Sequence, residues 1–200
     1  MAKFSPEILR KMRNFWLRMD VDDLENAYRA ALKGLVHREG EIERMARAQL
    51  GLGPDEEWPD RDDDDPDNPI ARVYDEAGEL SAQAERGAPM VHKAFAIALF
   101  HTWERHCNAR LAREHYKHDL TTEEILAPDG HAAVANIIHE LQLTANCAKH
   151  GPGTSCRDLY QLRPEFFPRV KSPKKASEKT LLVPADALDR YFSAIRSAAR

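Results

Sequence analysis

What this sequence lacks narrows its class before any motif is read. It has three cysteines, Cys107, Cys147 and Cys156, odd in number and widely spaced, with no C-x-x-C pair to build a zinc ribbon. That usage points to a reduced, cytoplasmic setting in which no covalent staple is needed. The opening residues Met1-Ala2-Lys3-Phe4-Ser5-Pro6 hold no apolar signal core. Nor does any stretch approach the roughly 18 apolar residues of a membrane span, so a soluble protein without membrane contact is expected. Base is not in excess either: 29 Lys and Arg against 33 Asp and Glu give a net charge of -4, which argues against a dedicated nucleic-acid coat. Alternating strand patterns and internal repeats are both wanting, which leaves an all-α chain.

What is present reads as a series of helices. Ser5-Pro6-Glu7 opens the first, with Phe4 placed to staple onto Leu9 and with Ile8, Met12, Phe15, Trp16 and Met19 on its apolar face. Asp20 is a cap for a second helix whose face runs Leu24, Tyr28, Leu32, Leu35, Ile42, Met45 and Leu50, with Gly34 and Gly40 as bending points. Residues 53–69 carry nine acidic side chains, one arginine and four prolines and predict an acidic flexible loop; their spacing does not match a calcium loop. A helix from Ile70 stops near Gly87-Ala88-Pro89, and a long apolar helix over 90–107 belongs at the centre of a bundle. A helix ending at His150 before Gly151 follows, then a short one opening at Ser155 and stopped by Pro164. The bundle domain is therefore assigned to 1–168, with a basic linker and a C-terminal helical appendage over 169–200.

Two polar stripes stand out. His101, Glu104 and Asn108 share one face of the central helix, and Asn136, His139, Leu143, Asn146 and His150 share one face of the later helix. Facing each other, the helices would gather His101, Glu104, Asn108, His139, Asn146 and His150 into a site within a bundle. No metal or cofactor is assigned to it, because the paired Glu-x-x-His signature of di-iron bundles is missing. Cys107 and Cys147 lie inside helices without the turn that exposes a covalent nucleophile. Gly151-Pro152-Gly153-Thr154-Ser155 lacks the Walker lysine and spacing.

The helix end Ala145-Asn146-Cys147-Ala148-Lys149-His150 resembles the signature of HEPN domains of toxin–antitoxin and anti-phage defence systems: arginine, usually asparagine, three residues, histidine. Over residues 90–151 the resemblance matches Asn146 and His150, while Ala145 stands at the arginine position. It implies a helical dimer. In active members it implies metal-independent RNA cleavage, with the histidine moving protons around the 2′-hydroxyl attack and the arginine holding phosphate charge. Arg105 or Arg110 is the nearest substitute for that charge, and the expected site is His150, Asn146, Glu104, Arg105 and His101.

Two functions are open at this point. One is a non-enzymatic or catalytically degenerate HEPN-like protein that mediates protein interaction in bacterial or phage-related defence or toxin biology, as a homodimer, with a protein partner met through the acidic loop or the basic linker. The alternative is an endoribonuclease with a composite dimer site, for which RNA is the partner.

Overall fold

The computed structural model describes residues 5–61 and 68–200. Phe4 and residues 62–67 of the acidic loop lie outside them, and with them the expected Phe4 staple. The described residues form six α-helices joined by turns, short 3-10 segments and one π-helical turn (Thr122–Leu126), with no strand, so the chain is all-α: α1 (Pro6–Gln49), α2 (Pro69–Leu111), α3 (His118–Thr121), α4 (Ala135–His150), α5 (Thr154–Leu162) and α6 (Ala185–Ala198). Among these residues no helix is long and apolar enough to cross a membrane. Contacts divide the chain into a first unit, Met1–Tyr28 with His92–Arg200, and a second, Arg29–Val91. The expected boundary at 168/169 does not coincide with this division, which falls at 28/29 and 91/92.

Two helix breaks expected from sequence are absent. α1 runs unbroken through Asp20, Gly34 and Gly40. An aspartate tolerates a helix interior when its neighbours pack, and here Leu17 and Val21 are buried on either side of it. α2 likewise runs through Pro89. Proline removes one i→i−4 bond, a cost the rest of a 43-residue helix absorbs. Gly87, read as part of a break, serves packing: a Cβ there would lie 2.8 Å from Leu35 Cδ2, so the glycine admits Leu35 closely.

In the second unit the α1 and α2 segments pair antiparallel around Ile42, Ala46, Ala71 and Ala84. Trp58 closes the connecting loop, tilted against Tyr74 with ring centroids 5.5 Å apart and covered by the Arg47 guanidinium at 4.7 Å. Arg47 also donates to the Gly53 and Glu56 carbonyls.

The first unit holds most of the large buried side chains. Tyr28 of α1 meets His92 and Phe95 of α2 and Phe192 of α6. The stretch 169–183 is packed rather than a free linker: Ala176, Leu181 and Val183 are buried, and the carbonyls of Glu178 and Val183 accept from Lys93 Nζ and His92 Nδ1, each at 2.6 Å. Burial lowers the Lys93 pKa, with Glu178 partly opposing it. Leu182 N donates to Phe166 O, a single tie without a strand. Arg10 and Arg110 converge on Asp129, and Arg196 of α6 holds Asp22 and Glu25 of α1.

Three expectations are corrected here. Cys147 and Cys156 form a disulfide across the α4–α5 turn, leaving Cys107 as the free thiol. The pair lies only nine positions apart in sequence, and the Gly151 reversal brings their Cα atoms to 4.7 Å. The segment 90–107 is amphipathic rather than apolar all round: Met90 is 70% exposed, whereas Ala96, Leu99, Phe100, Trp103 and Cys107 are buried. On α1 the face read as core is the open one, with Ile8, Leu9, Met12, Phe15, Trp16 and Met19 exposed and Leu17, Val21 and Tyr28 turned inward. Both faces of this stretch carry apolar residues, and the second packs against α2 and α6.

Candidate functional site

The polar stripe of α2 meets the end of α4 through a residue outside the expected set. His101 Nδ1 lies 2.9 Å from Glu104 Oε2, one turn away on the same helix, and Lys149 Nζ of α4 lies 3.4 Å from His101 Nε2. The carboxylate favours the Nδ1–H tautomer, whose Nε2 lone pair accepts from lysine. Glu104, His101 and Lys149 thus make a polar clasp between α2 and α4. Lys149 lies three residues after Asn146 and so on its face, the signal by which the sequence could have yielded it.

The other expected residues are dispersed. Asn146 is half-buried and His150 exposed at the helix end, while Ala145, at the motif's arginine position, is buried. α4 stops where expected, with Gly151 at φ +76°. Arg105 turns to the α1 side of α2, its guanidinium 3.5 Å from Thr102 Oγ1. Arg110, the alternative source of charge, is engaged by Asp129 at 3.0 Å. Asn108 donates to the Glu114 carbonyl at 3.4 Å. His139 lies instead against His118, ring centroids 4.7 Å apart.

That second cluster is a relay of aromatic and polar groups. Trp103 Nε1 donates to Tyr116 Oη at 3.2 Å, and Tyr116 Oη lies 3.2 Å from His118 Nδ1. Burial raises the Tyr116 phenol pKa and, with the neighbouring His139, lowers that of His118, so both stay neutral near pH 7. Burial also pushes the Cys107 thiol up, which removes it as a nucleophile. Among the described residues no group of three or more His, Cys, Asp or Glu side chains is arranged to hold a metal ion.

A third arrangement, which the sequence reading missed, lies between α1 and α2. A cavity of about 310 Å³ is walled by Arg13, Trp16, Leu17 and Asp20 of α1 and by Thr102, Arg105, His106 and Ala109 of α2. His106 Nε2 is buried there without a hydrogen-bond partner. Burial, with Arg110 and Arg13 nearby, depresses its pKa to about 4. Arg13, Trp16 and Asp20 follow helical spacing, but Trp16 also fits the apolar stripe of α1, and that pattern masks the group in the sequence.

No family model, no curated protein and no solved structure matches this chain.

Proposed function

We propose that this chain is a non-enzymatic helical interaction protein that works by pairing with a second copy of itself through the open face of α1. The observation that carries the reading is the stripe Ile8, Met12, Phe15 and Met19, exposed by 46, 45, 48 and 42% and spaced four, three and four. That spacing is symmetric about the point between Met12 and Phe15. Two copies related by a two-fold axis would set Ile8 against Met19 and Met12 against Phe15, with Leu9 beside Trp16 at the margin. With Leu9 and Trp16 the stripe leaves on the order of 600 Å² of apolar surface open, at the upper end for an ordinary monomer. Covering it on two copies would remove about 1,200 Å² from water, where stable interfaces begin.

From the HEPN-like motif we carry over a bacterial or phage-related defence or toxin context. The acidic loop and the basic stretch 169–179 remain candidate contacts for a further protein partner.

Sedimentation equilibrium tests the association. Wild type is expected to be a dimer at micromolar concentration, and Met12→Glu/Phe15→Glu a monomer with unchanged helical circular dichroism. A wild type that stays monomeric up to millimolar concentration sinks the reading. So does a monomer whose α1 face binds anionic vesicles instead.

The alternative, metal-independent RNA cleavage at a site completed across the dimer, draws on the Glu104–His101 pair, in which a carboxylate orients an imidazole. It predicts RNA cleavage in the presence of a chelator that His101→Ala and His150→Ala both abolish. Retained cleavage in both variants, or none in wild type, removes it.

A further inference from the structure

We propose that the cavity walled by Arg13, Trp16, Asp20, Thr102, Arg105 and His106 binds a free mononucleotide. Its volume, about 310 Å³, lies at the small end of ligand pockets. Two guanidiniums border it, and neither Arg13 nor Arg105 holds a carboxylate among the described residues. By contrast Arg10, Arg110, Arg113, Arg163, Arg190 and Arg196 each do. Unpaired guanidiniums on a cavity wall suit a phosphate, which they grip with paired N–H donors.

Trp16, 58% exposed, supplies a flat face at the same rim, and an aromatic face of this kind stacks a nucleobase. Asp20 is the one carboxylate in the lining and can accept only from donors such as ribose hydroxyls or an exocyclic amine. Two cations against one carboxylate leave a lining charge of +1, suited to one phosphate rather than three. His106 completes the wall on the α2 side with a neutral ring whose Nε2 is covered and lacks a partner.

The site shares only Trp16, at the margin of the paired face, with the association proposed above; Met12 and Phe15 do not line it. Calorimetric titration of the full chain with adenosine 5′-monophosphate and with inorganic phosphate tests it. One nucleotide per chain is expected, bound about tenfold tighter than phosphate. Arg13→Gln and Arg105→Gln should each weaken it about tenfold. Trp16→Leu should reduce nucleotide affinity to that of phosphate while leaving phosphate binding unchanged. Met12→Glu/Phe15→Glu, which leaves the Trp16 face free of a second copy, should bind the nucleotide at least as tightly as wild type does, so failure of pairing and failure of this site read out separately. The assignment is overturned by no nucleotide binding at millimolar concentration, by nucleotide bound no tighter than phosphate, or by arginine variants that bind like wild type. It is also overturned if a 5′-phosphorylated RNA oligomer binds tighter than the mononucleotide through the same arginines.

Discussion

At Glu140 a carboxylate with 3% exposure is held from three sides. Arg163 donates to Oε2 at 2.8 Å, while Arg190 and Tyr191 donate to Oε1 at 2.8 and 2.9 Å. Thr144 extends the network to Tyr191 at 3.0 Å. Every acceptor direction of the buried charge is used, so removing it strands donors and opens a void. Glu140→Ala is expected to cost about 3 kcal/mol, and Glu140→Gln, which keeps the shape, about 1–2 kcal/mol. Urea denaturation monitored by circular dichroism measures both. His106 gives a pH signature. Its folded pKa of about 4 lies below the ordinary 6.5, so the unfolded chain binds the extra proton. The stability it contributes is complete above 6.5 and is lost as pH falls toward 4, and His106→Gln should flatten thermal unfolding across that window. Asp129, lowered chiefly by its hydrogen bond from Arg110, loses its contribution only below the ordinary carboxylate value of 3.8. The two losses are therefore separable.

The junction of α4 and α5 concentrates the constraints on one turn. Gly151 sits at φ +76°, and a Cβ there would stand 3.1 Å from Glu178 Oε2. Both the left-handed backbone and the crowding oppose a side chain, so Gly151→Ala should lower stability by about 1–3 kcal/mol in a denaturant titration. The same turn carries the Cys147–Cys156 disulfide. Closing so short a loop is worth about 2–3 kcal/mol on a chain-entropy account. Thiol titration should count no reactive thiol in the native oxidised protein, because Cys107 is buried, and one after unfolding. Three after unfolding would mean the pair is reduced. The glycine stop was legible because only one residue type fits that backbone angle. The cysteine pair was not, since its closeness depends on how the chain reverses after α4, which spacing alone does not encode.

Across the whole chain, helical periodicity carried the fold class, because 3.6-residue spacing is a property of local sequence. It did not settle which apolar face of α1 is covered. Ile8, Met12, Phe15 and Met19 repeat as regularly as Leu17, Val21 and Tyr28, and only the packing of α2 and α6 decides between them. The expected site met the same limit: neighbours on one helix were readable, but Arg105 faces α1 while Lys149 of α4 meets His101. Glu140 was invisible for a related reason, since a lone glutamate in a helix looks solvated until the arginines that neutralise it are in place. Those arginines come late in the chain, Arg163 after α5 and Arg190 on α6. During synthesis α4 is therefore complete while its inward charge still lacks both counterions. A chain that ends before residue 163 offers Glu140 neither counterion, and one that ends before residue 190 offers it Arg163 alone, so α6 completes the neutralisation of that face of α4.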